Sequence, residues 1–184
     1  MFRKFLLHEG VGSQSEVRSS QRRTYLKQIK ELYPKLDEEM LEKLIPKKSL
    51  MLAKCPDHIN VLVSMTSKLP LFFNQRDGPW YPTLRLLHLL GPFMNVLRVD
   101  SGAIPFVISG ANIMCPGITN PGGEIPEDLP VDTPVQIMAQ GKELPIAVGI
   151  TKMSTDDMKS INKGIGVDVL HFLNDGLWRT EPLE

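Results

Sequence analysis

The chain has 184 residues, of which 42% are hydrophobic and 23% are charged, and its formal net charge is zero. This composition is typical of a folded globular protein and argues against a disordered chain or a generic polycation that coats nucleic acid. No apolar run approaches the ~20 residues that a membrane span needs, and we expect no signal peptide because the first residues lack a cleavage site. The two cysteines do not indicate a disulfide framework, so we expect a reducing, cytoplasmic setting.

The first part of the chain is basic and begins with a predicted helix. Residues 1–48 carry 11 Lys and Arg against seven Asp and Glu. Apolar residues at a period of 3.6 predict a helix over residues 14–33. Its opposite face carries three basic side chains: Arg23, Lys27 and Lys30. That face is either a solvated surface or a contact with ribosomal RNA.

A second helix is predicted over residues 37–45. Asp37 can cap its N-terminus, and Met40, Leu41 and Leu44 form a stripe that we expect to be buried. Alternating apolar residues then predict a strand over residues 59–65, and residues 71–73 predict another. Helices followed by an antiparallel meander indicate an α+β domain.

A third helix, residues 84–90, precedes the predicted domain boundary at Gly91-Pro92. Arg85 and His88 share a face of this helix because they lie three residues apart. They form either a polar surface or a phosphate contact. We therefore predict an N-terminal domain over residues 1–91 and a second domain over residues 92–184.

The stretch VDSGAIPFVISGANIMCPGI opens the second domain, from Val99 to Ile118. It predicts a two-turn helix over residues 103–108, which Gly110 ends in a left-handed conformation. A strand over residues 111–114 and a turn at 115–117 are expected to follow. Glycines around a short helix whose first N–H groups are free would suit a phosphate or an RNA backbone.

The remainder of the second domain is predicted to consist of short strands. A loop over residues 116–134 leads to strands at 135–139 and 146–150, with Gly141 in the turn between them. Ser154 begins a helix, residues 162–166 form a turn, and residues 169–173 form the last strand. Short strands with frequent turns indicate a small barrel.

Phe106 stands apart within the predicted helix of residues 103–108. At 100° per residue, Ile104, Val107 and Ile108 cluster on one side and should face the barrel core, whereas Phe106 points away. An exposed Phe on a rigid helix either packs under the N-terminal domain or anchors a partner.

Catalytic and metal-binding motifs are not found in the sequence. The four histidines, His8, His58, His88 and His171, lack metal-ligand spacing, and there is no GxSxG or GxxxxGK[ST] motif. Cys55 and Cys115 are outside any CxxC, which argues against a zinc site or a disulfide framework, and both are expected to pack as inert thiols. These patterns favour a binding protein with no cofactor and no catalytic residue.

The strings VDSGAIPFVISGANIMCPGI, NKGIGVDVLHFLNDGLW and DGPWYPTLRLLH resemble a PUA-domain family of translation factors, the malignant T-cell amplified sequence family. The resemblance runs from Met1 to Trp178. It implies a PUA β-barrel behind an α+β pre-PUA domain, with RNA held beside the glycine-flanked helix. The positions implied for that cleft are Gly102, Ala103, Ser109, Gly110, Ala111 and Asn112, with Lys163 and Gly164 opposite. Pro105 stands where the family commonly has a lysine.

The resemblance implies a translation factor that binds the small ribosomal subunit, and in some contexts the tRNA acceptor end. It would act with density-regulated protein, for which Phe106 is the candidate anchor, in reinitiation and in ribosome recycling. RNA phosphates would meet basic residues in loops or on exposed faces: Lys47, Lys48, Arg76, Arg85, Arg98 and Lys163. The alternatives are an accessory subunit of an RNA-modification enzyme, and an adaptor whose PUA domain has lost RNA binding.

Overall fold

The computed structural model describes residues 1–5 and 10–180 and has an α+β fold with two five-stranded sheets. The named α-helices are α1 (Ser19–Leu32), α2 (Glu38–Leu44), α3 (Leu84–Leu90), α4 (Ile104–Val107), α5 (Cys115–Thr119) and α6 (Thr155–Ile161), and a 3-10 turn spans Pro56–His58. In this part of the chain no helix has the length and apolar character needed to cross a membrane.

The first sheet is antiparallel and runs in the order β1-β2-β3-β4-β5. Its strands are β1 (Ser13–Glu16), β2 (Leu50–Lys54), β3 (Ile59–Ser64), β4 (Pro70–Gln75) and β5 (Tyr81–Pro82). β3 and β4 are buried over most of their length, because the N-terminal core contains side chains from both strands together with α1, α2 and α3. The predicted meander is therefore the centre of this half of the protein.

The second sheet is curled and mixed, with the order β6-β8-β9-β10-β7. Its strands are β6 (Asn95–Val99), β7 (Ile113–Met114), β8 (Pro134–Ala139), β9 (Ala147–Thr151) and β10 (Ile165–Phe172). β6 and β8 are parallel, and the other neighbours are antiparallel. Alternate residues of β8, Val135, Ile137 and Ala139, fill a separate core inside this sheet.

Several local predictions are confirmed by the caps and turns. Asp37 caps α2 through Glu39 N–H at 3.1 Å, and Ser154 caps α6 through Asp157 N–H at 3.2 Å. The third helix has the predicted bounds, 84–90. Gly110 has the predicted left-handed conformation at φ 91°, which glycine adopts without strain, although α4 already ends at Val107. These features depend on neighbours in sequence.

Other predictions are wrong where partners distant in sequence decide the structure. The helix predicted over residues 14–33 begins at Ser19, because residues 13–16 pair with β2 and Val17 N–H donates to Leu50 C=O at 2.9 Å. Met40 is exposed although it was expected in the buried stripe of α2. Strand β6 had no prediction, because its parallel partner β8 lies far along the chain.

The opening stretch of the second domain also differs from its prediction. The helix expected over residues 103–108 is the single turn of α4, and the expected strand over 111–114 is only Ile113–Met114. The turn predicted at 115–117 is the start of helix α5. Asn112 is kept out of the strand because its Oδ1 accepts Val169 N–H at 3.0 Å.

A buried histidine joins the two sheets. His171 at the end of β10 is fully buried, and its Nε2 accepts the N–H of Leu84, the first residue of α3, at 3.1 Å. Its Nδ1–H donates to Asp175 Oδ2 at 2.7 Å. The acceptor role of Nε2 fixes the neutral tautomer with the proton on Nδ1. His171 therefore links the first turn of α3 to the second domain.

The N-terminal residues pack into the same junction. Phe2 is fully buried, and its ring lies edge-on to those of Phe73 and His171, with centroids 5.0 and 5.9 Å away. The backbone N–H of Gly176 donates to Phe2 C=O at 2.8 Å.

Of the four histidines, His8 lies outside the described residues.

Candidate nucleic-acid interface

A groove beside helix α4 is open to solvent on the second domain and has a volume of about 610 Å³. Its lining is Asp100, Gly102, Ala103, Phe106, Val107, Ala111, Asn112, Ile113, Met114, Gly117, Asn120 and Ile165. We refer to this set as the α4 groove. Four residues that the sequence placed in an RNA cleft, Gly102, Ala103, Ala111 and Asn112, line it together.

The walls of the α4 groove are apolar. Phe106 projects from α4 with 65% of its surface exposed. Met114 and Ile165 are 50% and 41% exposed, and they are direct partners in the β7–β10 ladder. Exposed apolar side chains that converge on one groove are unusual on a soluble surface and mark a binding site. The groove is therefore suited to a ligand with flat or apolar faces.

One end of the α4 groove is polar. Asp100 Oδ1 accepts the N–H of Ala103 at 3.0 Å, and its Oδ2 accepts Nδ2 of Asn120 at 3.2 Å. Each of these carboxylate oxygens keeps a further lone pair. The Oδ1 of Asn112, an exposed lining residue, accepts the N–H of Val169. No lysine or arginine belongs to the lining.

The expected phosphate site at the start of the short helix is not supported. The N–H of Ala103 already donates to the Asp100 carboxylate, and the N–H of Ser101 donates to Gln140 Oε1 at 2.9 Å. A carboxylate in this position takes the place that a phosphate would occupy and repels a second anion. Sequence reasoning could not see this because Gln140 lies some 40 residues away.

The other residues predicted for the cleft surround the α4 groove. Ser109 and Gly110 lie at the far end of α4, where the Ser109 hydroxyl donates to Pro105 C=O at 2.9 Å. Gly164 C=O accepts the N–H of Cys115 at 3.0 Å, which places the 163–164 turn just before Ile165 on the groove wall. Lys163 is exposed in that turn. It is one of the basic residues predicted to contact RNA, and it lies two residues before the groove residue Ile165.

Two of the predicted cations have partners within the protein. Arg98 was expected on an exposed face, but it lies in β6, where its guanidinium donates to Ala139 C=O at 2.9 Å and is 3.7 Å from Glu124. Arg85 donates to Trp178 C=O at 2.9 Å, and its guanidinium carbon lies 4.0 Å from the centre of the Trp178 ring. Arg85 therefore contacts Trp178 at the domain junction and is still exposed to solvent.

The remaining predicted cations lie on the N-terminal half of the chain. Lys47 and Lys48 follow α2, and Arg76 follows β4; all three are exposed and none lines the α4 groove. His88, the predicted neighbour of Arg85, donates from Nε2 to Pro145 C=O at 2.8 Å, since a carbonyl can only accept. Any RNA contact of Lys47, Lys48 and Arg76 would thus be separate from the groove.

Phe106 does not pack under the N-terminal domain, so that alternative is wrong. Its ring belongs to the α4 groove and to neither of the two buried cores. Val107 faces the barrel core as expected, but Ile108 is 44% exposed because α4 ends before it. The sequence missed Asp100, Met114, Asn120 and Ile165; the register of β7 against β10 is what brings Met114 and Ile165 together.

The two cysteines show no sign of activation. Burial raises the pKa of the Cys55 thiol to about 11, and burial also raises the pKa of Cys115, whose side chain lies among core residues beside Met153. Both thiols are therefore protonated at neutral pH and poor nucleophiles or ligands. Within residues 1–5 and 10–180, no cluster of three or more His, Cys, Asp and Glu side chains could hold a metal ion.

Comparison with known proteins identifies the two halves of the chain. Residues 5–90 match the family described as a Pre-PUA-like domain, and residues 95–173 match the PUA domain. A hypothetical protein of Pyrococcus horikoshii has a similar fold, with a TM-score of 0.72 and 24% identity over 90% of this chain and 98% of that one. A PUA-domain structure from Aeropyrum pernix gives a TM-score of 0.68 at 23% identity, covering 90% of this chain and 89% of that one. The fold and the groove thus define a PUA-domain protein.

Curated relatives match over the full length of the chain. The Malignant T-cell-amplified sequence 1 homolog of Drosophila melanogaster is 47% identical over all of both chains. This chain belongs to the malignant T-cell-amplified sequence family, as the resemblance in sequence implied. Malignant T-cell-amplified sequence 2 of Mus musculus is 45% identical over 97% of each chain, and Translation machinery-associated protein 20 of Schizosaccharomyces pombe is 41% identical over 98% of each.

Proposed function

We propose that this protein binds RNA and acts in translation without catalysing a reaction. The observation that carries the proposal is the open α4 groove in the PUA domain, which has an exposed aromatic wall and a polar end. The name of the Schizosaccharomyces pombe relative, a translation machinery-associated protein, supports the setting. The protonated, buried thiol of Cys115 and a histidine held between Leu84 and Asp175 support a role in binding rather than in chemistry.

The more specific part of the proposal, which names the ribosomal target and the protein partner, follows the family resemblance. The protein would act in the cytoplasm on the small ribosomal subunit, where it would place RNA or the tRNA acceptor end. Density-regulated protein would be its heterodimer partner in reinitiation after short upstream frames and in the release of deacylated tRNA during recycling. The mechanism is the positioning of RNA and partner by two domains that His171 holds together.

Binding of short single-stranded RNA should depend on salt. If about four phosphates are engaged, log K should fall against log salt with a slope near −3, at roughly −0.7 per phosphate. Fluorescence anisotropy at a series of salt concentrations measures this slope. A flat response would contradict the electrostatic part of the proposal.

Charge reversal of the exposed pair Lys47 and Lys48 provides the matching variant. Neither residue has an ion pair within the described residues, so Lys47→Glu with Lys48→Glu should leave the fold intact and make the slope shallower. An unchanged slope and affinity would assign the phosphate contacts to other cations, such as Arg76 and Lys163.

A further inference from the structure

A second cavity lies in the N-terminal domain, between α1 and one end of the first sheet. Its volume is about 340 Å³. It shares no lining residue with the α4 groove. We call it the α1 cleft and define it by six polar residues of its lining: Gln28, Lys54, Asn60, Asn74, Arg76 and Asp77.

The register of the first sheet produces the α1 cleft. Leu52, Leu62 and Phe72 are cross-strand partners on β2, β3 and β4, and Leu62 and Phe72 are fully buried. Side chains two residues apart on a strand point to the same face, so the neighbouring row shares this face. That row is polar and consists of Lys54, Asn60 and Asn74. The apolar core therefore ends at the first row, and the cleft lies over the second.

Hydrogen bonds hold the amide side chains of the α1 cleft in place. Asn74 is 5% exposed; its Oδ1 accepts Asn60 Nδ2 at 2.9 Å, and its Nδ2 donates to Gly78 C=O at 3.2 Å. Gln28 Oε1 accepts the indole N–H of Trp80 at 3.2 Å. Among the described residues, the amide N–H groups of Gln28 and the Oδ1 of Asn60 have no partner. One donor and one acceptor are thus available, the two groups that a peptide bond pairs with.

Arg76 stands at the mouth of the α1 cleft in a strained backbone conformation. Its φ is 56°, and two contacts impose it: Arg76 N–H donates to His58 C=O at 2.8 Å, and Arg76 C=O accepts Asn60 Nδ2 at 3.4 Å. A left-handed conformation is unfavourable for a residue with a Cβ, and such strain is concentrated at sites that hold ligands. The strain fixes the position from which the guanidinium reaches out.

The charges of the α1 cleft favour an anion. Lys54 and Arg76 are both exposed, and neither has an ion pair among the described residues. Asp77 is the one carboxylate of the lining, so the cleft has a net charge of +1. A single carboxylate group that meets both cations would be attracted.

An RNA strand fits the α1 cleft less well than a peptide does. Trp80 is 3% exposed, so its ring cannot stack on a base, and the Asp77 carboxylate repels successive phosphates. A phosphate backbone also carries no amide N–H for the free oxygen of Asn60. The row from β2 to β4 spans two interstrand spacings, about 10 Å, which is the length of about three extended residues.

We propose that the α1 cleft is a docking site for an extended acidic peptide segment of a protein partner. One Asp or Glu side chain of the peptide binds Lys54 and Arg76, and its backbone pairs with the free amide groups of Gln28 and Asn60. This site goes beyond the proposed RNA-binding function and does not depend on it.

The test uses a fluorescein-labelled hexaglutamate peptide and the full chain at low salt, with fluorescence anisotropy as the measurement. Hexaglutamate should bind at least tenfold more tightly than labelled hexaglutamine, which has no charge. Lys54→Gln and Arg76→Gln should each weaken hexaglutamate binding about fivefold, the upper range for one exposed ion pair. Lys142→Gln is the matched control: Lys142 is exposed and lies outside the cleft, so the same loss of charge should leave binding unchanged.

Arg76→Gly separates the side chain from the fold. Glycine adopts a φ of 56° without strain, so this variant should unfold at the wild-type temperature or above it. It should nevertheless lose about as much affinity for hexaglutamate as Arg76→Gln does. A stable Arg76→Gly variant that binds hexaglutamate like the wild type would overturn the inference.

Three further results would overturn it. Hexaglutamate fails to bind the folded wild type, or Lys142→Gln weakens its binding as much as Arg76→Gln does, which is diffuse attraction by the whole surface. In the third, labelled hexauridylate displaces the peptide and loses affinity equally on Lys54→Gln and Arg76→Gln, so that the cleft is a phosphate site. RNA binding that persists while hexaglutamate does not bind would refute this inference alone, and the converse would refute the proposed function alone.

Discussion

Replacing Asp175 with alanine is expected to lower the free energy of unfolding by about 3–5 kcal/mol, because three hydrogen-bond donors lose their acceptor and each one left unpaired in the interior costs about 1–3 kcal/mol. Asp175 is 1% exposed. Its carboxylate accepts His171 Nδ1–H at 2.7 Å, Phe172 N–H at 3.0 Å and Trp178 N–H at 2.9 Å. Alanine would leave these three buried or partly buried donors without partners. Urea denaturation followed by circular dichroism measures the loss.

Asp175→Asn is the matched variant. The amide keeps the shape and one accepting oxygen, so it should retain part of the network and cost less than alanine. If alanine costs under about 1 kcal/mol, a value typical of one ordinary hydrogen bond, the junction does not depend on this network.

Replacing Gly176 with alanine is expected to displace the N-terminal residues and cost about 2–3 kcal/mol, the value of burying one large apolar side chain. A Cβ built on Gly176 would lie 1.5 Å from the carbonyl oxygen of Phe5 and 2.9 Å from that of Phe2. These are backbone atoms, so a side-chain rotation cannot relieve the clash. The displacement would remove Phe2 from the core that it shares with Phe73 and His171.

A double variant identifies the cause of the Gly176 effect. If Gly176→Ala expels the segment, adding Phe2→Ala should cost little more, because both changes remove the same packing. Gly12→Ala is the control, since its Cβ would meet only Lys54 C=O at 3.5 Å, an ordinary contact. Fully additive losses from Gly176→Ala and Phe2→Ala would contradict the displacement.

The parts of the fold that follow from the sequence are those with local causes. Thr83, Asp37 and Ser154 cap helices through N–H groups two or three residues away, and Gly110 and Gly141 take left-handed turns. Strands β1 and β6 could not be predicted in the same way. β1 is polar and exposed on every residue, and it is a strand only because β2 pairs with it.

The same distinction between local causes and distant partners applies to the candidate site. Helical geometry predicted that Phe106 points away from the barrel core, and the structure confirms its exposure. The same geometry placed Ile108 in the core, which is wrong because α4 is only one turn long. Asn120 donates to the Asp100 carboxylate at the polar end of the groove, and Gln140 accepts the N–H of Ser101 just before α4. Only the fold brings these two side chains, which are distant in sequence, to residues 100 and 101. Side chains brought together in this way leave no pattern in the sequence.

Cosedimentation of the full chain with purified small ribosomal subunits over a series of salt concentrations tests whether this protein binds the subunit. We expect the folded protein to pellet with the subunit at low salt and to be released as salt rises, because phosphate contacts contribute the binding. A folded protein that stays in the supernatant at every salt concentration would contradict it.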